Sequence, residues 1–265
     1  MKIIGITTGH DASYCVLENG VPIIHEEFER FSRIKEGDTD VIQFIKDRYS
    51  DYEDVKYVTH WPCNRDGWEK VFTDDKLNSY REMKKDMENK GGQYIQYGHH
   101  QSHAANAFFS SNYETALIMT LDAGGWDYVS YDENAVGFGQ IIPTSVTIWR
   151  GKGNKIYPVR IVPMQELSIG LTWHDLLPSV FGLSNSTPIG NQAGTIMAMS
   201  ALGKTDKFYD LIGFSSSSPS NIAALKYAVD EDRDNLFEIA RALQKKTEQK
   251  IHDLIEYYLE EDENL

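Results

Sequence analysis

The fold class of this chain is decided by one segment, YGHHQSHAANAFFSSNYETALIMTLDAGG, which spans residues 97–125. Its first part, residues 99–110, is rich in alanine and ends on an aromatic pair, which predicts a helix. Residues 116–121 form a short apolar run that predicts a buried strand, and Asp122 follows that run at once. A helix next to a buried strand is typical of an α/β domain.

Two histidines lie four residues apart on the predicted helix. His99 and His103 therefore project from the same face, where both imidazoles can share one cation. Imidazole is a ligand for iron, zinc, nickel and copper. The zinc-protease motif does not match, because its general-base glutamate directly follows the first histidine and this chain has His100 there. Spacing alone favours a metal site no more than it favours two surface histidines near a helix start.

Asp122 is the natural third ligand. It ends the predicted strand, where a side chain is presented at the mouth of a cleft. Gly124 and Gly125 let backbone amides approach an anion closely, as in a phosphate-binding nest. An isolated Asp-x-Gly-Gly sequence is more often a tight turn. Its position just after the helix with the two histidines favours a combined metal and anion site.

The N-terminus repeats this arrangement of a strand followed by polar residues. The apolar, β-branched stretch 2–8 predicts a strand that stops at Gly9, and His10 and Asp11 come next. A histidine there is suited to act as a general base or hydrogen-bond donor, because unperturbed imidazole titrates at ~6.5. Without further support, the same residues are typical of an ordinary turn.

The remaining pattern alternates strands and helices. Asn19-Gly20 predicts a tight hairpin between strands at 13–18 and 22–27. The other predicted strands are 55–59, 146–149 and 157–162, and the other predicted helices are 168–181, 193–202, 206–212 and 234–259. Residues 62–92 are predicted as helix and loop, and 213–221 as a loop. Together these elements indicate an α/β domain with mixed sheets.

Composition excludes several classes of function. The chain has 265 residues and a formal net charge of -14, so charge repulsion disfavours non-specific binding to nucleic acid. No stretch approaches the roughly 18 apolar residues that a membrane-spanning helix needs, so no membrane partner is expected. Cys15 and Cys63 are the two cysteines and lack metal-type spacing. A reducing, cytoplasmic location is therefore expected.

Five segments occur in an order that resembles the N-terminal actin-like domain of the O-carbamoyltransferases that modify nodulation factors and antibiotics. They are GHDASYCVLENG (9–20), EEFERFSRIKE (26–36), the segment 97–125, SIGLTWHDLLPSVFGL (168–183) and QAGTIMAMSALGK (192–204). The resemblance implies the α/β fold shared by actin, sugar kinases and heat-shock chaperone ATPases. It also implies a relation to the tRNA threonylcarbamoyladenosine enzyme.

The resemblance implies a reaction and a division into lobes. In that family a separate domain makes carbamoyl adenylate from carbamoyl phosphate and ATP, and the actin-like domain passes the carbamoyl group to an acceptor hydroxyl on a small molecule. Residues 1–113 would form a first lobe that includes the helix with the two histidines, and residues 114–265 an incomplete second lobe. We therefore expect a second chain to supply the missing lobe and the adenylate-forming domain.

The resemblance also implies roles for single residues. His99, His103 and Asp122 would bind a divalent metal, with iron expected, next to ATP or carbamoyl adenylate. His10 would assist attack by the hydroxyl, and Asp11 would orient the site. Contacts with substrate or nucleotide are implied for Ser13, Arg30, Gly124, Gly125 and Gly194.

One position departs from the family pattern, and two other interpretations stay open. Thr195 stands where the family usually has lysine, so the anion contact expected at that position is in doubt. An actin-like kinase or a tRNA-modifying relative would share the fold, but segments 28–35 and 168–171 favour the carbamoyltransferases. The remaining alternative is a non-catalytic metal- or nucleotide-binding module that regulates a partner.

Overall fold

The computed structural model describes residues 1–7, 11–35, 55–59, 93–128, 140–186 and 190–260, with isolated positions at 44–48 and 78–89. The chain divides into two compact units, Met1–Gly98 (the first unit) and His99–Leu265 (the second unit). Helices and strands are both present, which confirms the predicted α/β class. Most of the region 62–92, for which helix and loop were predicted, lies outside the described residues.

The first unit contains one five-stranded mixed sheet. Its described elements are β1 Lys2–Thr7, β2 Ser13–Glu18, β3 Val21–Glu27, α1 Glu29–Ser32, β4 Val55–Thr59 and β5 Gln93–Gln96. The strand order is β3-β2-β1-β4-β5. Strand β2 is antiparallel to both of its neighbours, β1 and β3, whereas β4 is parallel to both of its neighbours, β1 and β5. The strands predicted from the sequence are confirmed here to within a residue at each end.

The hairpin between β2 and β3 forms as its turn residues predict. Asn19 and Gly20 have φ angles of 52° and 83°, and positive φ at both central residues is the property of the tight hairpin turn that Asn-Gly favours.

Cys15, on β2, is a free cysteine, and Cys63 lies outside the described residues. Burial raises the pKa of the Cys15 thiol.

The second unit is a three-stranded antiparallel sheet with helices. Its strands are β6 Thr115–Tyr128, β7 Ile141–Lys152 and β8 Lys155–Pro163, in that order across the sheet. Its helices are α2 His99–Phe109, α3 Ile169–Leu176 with a π-helical turn at Leu177–Phe181, α4 Ala193–Ser200, α5 Ile222–Glu231 and α6 Asn235–Tyr258. Two-residue strands pair Asn185–Ser186 with Gly190–Asn191 and Phe214–Ser215 with Ser218–Pro219.

Side chains of β6 alternate between two apolar clusters, because successive residues of a strand point to opposite faces. Ala116 and Ile118 belong to a small cluster whose other buried members are Ala104, Phe108 and Trp149. Leu117 belongs to the large cluster that the sheet forms with α3, α4, α5 and α6. Helix α2 therefore covers one face of the sheet, and the later helices cover the other.

This packing places the helix with the two histidines in the second unit. The sequence placed it in a lobe of residues 1–113, but Ala104 and Phe108 are buried against β6 and β7. The boundary between the compact units accordingly follows Gly98, and the division into actin-like lobes after residue 113 stays a prediction.

The helix predicted at 206–212 is reduced to a single 3-10 turn, Tyr209–Leu211. Side chains of α6 contact the backbone before and within this turn. The Glu238 carboxylate accepts hydrogen bonds from the Lys204 and Thr205 amides, and Lys246 donates to the Tyr209 and Ile212 carbonyls. The local bonds that remain join Tyr209 to Asp206, Leu211 to Phe208 and Ile212 to Tyr209, and α6 supplies partners for neighbouring backbone groups.

Among the residues that the structure describes, no helix has the length and apolar character that crossing a bilayer requires.

Candidate metal centre

Asp122 lies inside a strand rather than at the end of one. The predicted strand ended at residue 121, but β6 continues to Tyr128, and its register with β7 shifts between Leu121 and Gly125. An irregularity of this kind bends a strand and re-aims its side chains. The tight turn that is common for an isolated Asp-x-Gly-Gly sequence is therefore not formed at residues 122–125, and a bulge presents the Asp122 side chain to α2.

Three potential ligand atoms converge at this bulge. The distance from His99 Nε2 to Asp122 Oδ2 is 2.6 Å, and His103 Nε2 lies 3.2 Å from His99 Nε2 and 3.4 Å from Asp122 Oδ2. Within the described ranges, these residues form the one group of at least three histidine, cysteine or acidic side chains with metal-ligand spacing. The helix supplies both imidazoles from one face, and the strand supplies the carboxylate.

The separations fit ligands that share one cation. Ligand atoms about 2.1 Å from a metal lie roughly 3.0 Å apart at right angles and roughly 3.4 Å apart in a tetrahedron. The three distances between His99, His103 and Asp122 fall close to this range. Two histidines and one carboxylate leave further coordination positions open, a donor set found with non-haem Fe(II) and with catalytic zinc. These residues therefore fit a divalent metal.

The carboxylate of Asp122 is held in its charged form. Burial alone would raise its pKa, but hydrogen bonds with His103 and His99 outweigh burial and keep that pKa well below its ordinary value. The Ala123 amide donates to the second oxygen, Oδ1, at 2.6 Å. This bond leaves Oδ2 directed at the histidines, so Asp122 offers an anionic oxygen to a cation.

Two glycines allow the ligands to approach each other. A Cβ atom on Gly125 would lie 2.2 Å from the His99 ring, and a Cβ atom on Gly170, at the start of α3, would lie 2.4 Å from the Asp122 carbonyl oxygen. Neither Gly124 nor Gly125 has a positive φ, so the alternating backbone of a nest is not formed there. The anion contact predicted for these glycines stays a prediction.

The other predicted site residues lie elsewhere on the chain. His10 is outside the described residues. Asp11 is exposed with a φ of 57°, and Ser13 begins β2. Arg30 is exposed and donates to Glu27 at 3.0 Å. Asp11, Ser13 and Arg30 belong to the first unit. Gly194, in α4, has open space where a Cβ would lie. Their roles in catalysis or binding stay predictions.

A buried polar network next to the three ligands was not foreseen. His100 is fully buried, its Nδ1 lies 3.0 Å from Thr120 Oγ1, and its amide donates to Asp127 Oδ2 at 2.9 Å. Thr120 also accepts from Trp149 Nε1 and donates to the Thr147 carbonyl. The sequence signal that could have indicated this network was Thr120, a polar residue within an otherwise apolar predicted strand.

This network defines the tautomer of His100. The hydroxyl of Thr120 has one proton, which it donates to Thr147, so its oxygen must accept from His100 Nδ1. His100 therefore carries its proton on Nδ1, and its buried Nε2 has no hydrogen-bond partner among the described atoms. Burial lowers the pKa of His100 to about 4, an effect that exceeds the opposing charge of Asp127.

The pKa of His100 predicts a loss of stability in acid. In the unfolded chain a histidine titrates near ~6.5, so as the pH falls the unfolded state takes up this proton first. The contribution of His100 is present above about pH 6.5 and is lost between about 6.5 and 4, by roughly 3 kcal/mol in the free energy of unfolding. Urea unfolding of the wild type and of His100→Asn at pH 7 and pH ~4.5 measures this change in the free energy of unfolding. We expect a shallower pH dependence for the variant, and equal slopes would contradict the prediction.

The similarity of this chain to known proteins is distant. No family model and no curated protein matches the chain. A crystal structure of HypF from T. kodakarensis is similar over 86% of this chain and 29% of that chain, with 11% sequence identity and a TM-score of 0.39. The chain thus spans less than a third of the length of HypF, and similarity at this TM-score does not establish a shared fold or activity. What the structure establishes is an α/β chain with a His99, His103 and Asp122 cluster that can hold a metal ion.

Proposed function

We propose that the chain is the metal-binding part of an O-carbamoyltransferase with an actin-like fold. The observation that carries the proposal is the convergence of His99, His103 and Asp122, three side chains from one motif segment, on a common point. The ordered resemblance of five segments to the carbamoyltransferases supports the choice of reaction. Iron is the proposed metal on the basis of this resemblance, and two histidines and one carboxylate are compatible with it, as they are with zinc.

The proposed reaction moves a carbamoyl group from carbamoyl adenylate, made from carbamoyl phosphate and ATP, to an acceptor hydroxyl. The bond between the carbamoyl carbon and the phosphate oxygen breaks, AMP leaves, and the acceptor oxygen forms the new bond. A bound cation would supply Lewis acidity toward the phosphate oxygens and neutralise charge on the leaving group.

In this proposal, side chains of the protein transfer the proton, orient the site and contact the substrate. His10 takes the proton of the attacking hydroxyl, and Asp11 orients the site. Ser13 and Arg30 contact the substrate, since hydroxyl and guanidinium groups donate to phosphate and carbonyl oxygens. Gly124, Gly125 and Gly194 belong to the proposed nucleotide site. A second chain with the adenylate-forming domain is the proposed partner.

The identity of the nucleotide product tests this proposal. The anaerobic, Fe²⁺-loaded protein is supplied with carbamoyl adenylate made in place by a separate adenylate-forming domain, together with a hydroxyl acceptor. We expect release of AMP to be accelerated, and His103→Ala to remove at least about 100-fold of the acceleration, because loss of the metal forfeits several kcal/mol of charge stabilisation. His252→Ala, which replaces an exposed histidine on α6, serves as the control, and its acceleration of AMP release should match that of the wild type.

Different products identify the alternatives. Release of ADP from ATP in the presence of the acceptor would indicate a kinase and contradict the carbamoyl route. Metal binding with no acceleration of either product would indicate a non-catalytic module.

A further inference from the structure

The three candidate ligands come from two separate elements, so their geometry depends on how α2 is held against β6. His99 and His103 lie on α2, and Asp122 lies in the bulge of β6. A metal site tolerates deviations of only about 0.5 Å in the position of its ligands. A slide of the helix along the strand by a fraction of a residue would therefore separate the imidazoles from the carboxylate.

One residue makes polar contacts from α2 to β6 on both sides of Asp122. The side chain of His100 donates to Thr120, two positions before Asp122, and its backbone amide donates to Asp127, after the bulge. His100, Thr120 and Asp127 are all buried. Hydrogen bonds between buried groups are directional and are not exchanged for water, so these two contacts set both the position and the rotation of the first turn of α2.

The contact to Asp127 also suits the end of the helix. His100 is the second residue of α2, where the amide has no partner inside the helix. The carboxylate of Asp127 accepts this amide and interacts favourably with the positive end of the helix dipole. Asp127 thus anchors the first turn of α2, the turn that carries His99, to β6 beyond the bulge.

We propose that His100, acting with Thr120 and Asp127, is the positioning residue of the metal centre, holding the His99/His103 face of α2 in register with Asp122. This inference rests on the metal centre of the proposed function and assigns no ligand role to His100. Residues that orient metal ligands through hydrogen bonds typically change metal affinity by about 10- to 100-fold when replaced.

Substitution of Thr120 tests the inference without altering a ligand. Thr120→Val keeps the shape of the side chain but removes the oxygen that accepts from His100 and Trp149. Thr120→Ser keeps the hydroxyl. Co²⁺ serves as the probe ion, with its affinity measured by calorimetry and its coordination geometry by visible absorption. We expect Thr120→Val to lower the Co²⁺ affinity about 10- to 100-fold and alter the spectrum, and Thr120→Ser to stay within about threefold of the wild type.

A second buried hydroxyl provides a matched control for general destabilisation. Ser145 is buried on β7 and donates to the carbonyl of Leu167, just before α3, at 2.7 Å. Ser145→Ala should lower the unfolding midpoint and leave the Co²⁺ affinity and spectrum unchanged. The inference is overturned if Thr120→Val binds Co²⁺ as the wild type does, or if Ser145→Ala loses as much affinity.

The same titrations separate this inference from the proposed function. If the wild type binds no Co²⁺, or if His103→Ala binds it as well as the wild type, the metal centre is wrong and the positioning role of His100 falls with it. If the wild type binds Co²⁺ through His103 and Thr120→Val is unaffected, the metal centre stands and only the positioning role is wrong.

Discussion

Replacing His103 with alanine is expected to lower the affinity for Fe²⁺ or Co²⁺ by more than about 100-fold. His103 Nε2 lies 3.4 Å from Asp122 Oδ2 and 3.2 Å from His99 Nε2, so its loss leaves two ligands. Removal of a direct ligand should exceed the 10- to 100-fold effect typical of residues that only orient ligands. Calorimetric titration of the metal-free protein under anaerobic conditions measures the change, together with metal content after purification.

A histidine on another helix provides the control. His252, on α6, is exposed and lies 3.4 Å from Glu256, four residues along the same helix. Like His103→Ala, His252→Ala removes one exposed histidine that contacts a carboxylate, but it leaves His99, His103 and Asp122 unchanged. Its affinity should equal that of the wild type. If His103→Ala retains full metal content, the three side chains do not form the metal site.

Replacing Gly125 with alanine is expected to disrupt the metal centre although no ligand is removed. The new Cβ would lie 2.2 Å from Cδ2 and 2.9 Å from Cβ of His99, so the His99 side chain must leave the position that brings its Nε2 within 2.6 Å of Asp122 Oδ2. We expect a loss of metal affinity as large as that of His99→Ala. Overpacking of this kind also lowers the free energy of unfolding by about 1 to 3 kcal/mol. Metal titration and urea unfolding of the metal-free protein measure the two effects.

A double-mutant cycle identifies the clash as the cause. In the His99→Ala background the ring is gone and only the Cβ contact at 2.9 Å remains, so Gly125→Ala should reduce the free energy of unfolding less than it does in the wild type. Gly194→Ala is the matched control, because a Cβ there meets nothing within 4 Å and alanine favours a helix over glycine by about 1 kcal/mol. It should be neutral or stabilising and should keep the metal affinity. Independent effects of Gly125→Ala and His99→Ala would contradict the proposed contact.

The local elements were predictable because their signals reside in neighbouring residues. Asn19-Gly20 defined a hairpin turn, the β-branched stretch at residues 2–8 defined β1, and the alanine-rich segment after Gly98 defined α2. Each of these depends on backbone preference or on apolar periodicity over a few residues. The four-residue spacing of His99 and His103 likewise depends on helix geometry alone.

The bulge at Asp122 could not be predicted, because it depends on partners far along the chain. The strand predicted to end at residue 121 continues to Tyr128, since β7 pairs with β6 on both sides of the bulge. Gly125 leaves space for the His99 ring, and Gly170 leaves space for the Asp122 backbone. In the sequence, these glycines are equally consistent with a turn or a phosphate-binding nest.

The sequence by itself determined the α/β class, the hairpin, and two histidines on one helical face, because these follow from hydrogen bonds and side-chain directions within a few residues. Only the tertiary structure decided that Asp122 meets those histidines, that α2 packs with the sheet of the second unit, and that His100 is buried against Thr120 and Asp127. The physical reason is that the contacts of Asp122 and of His100 join residues about twenty or more positions apart, and packing of the whole unit determines which pairs meet.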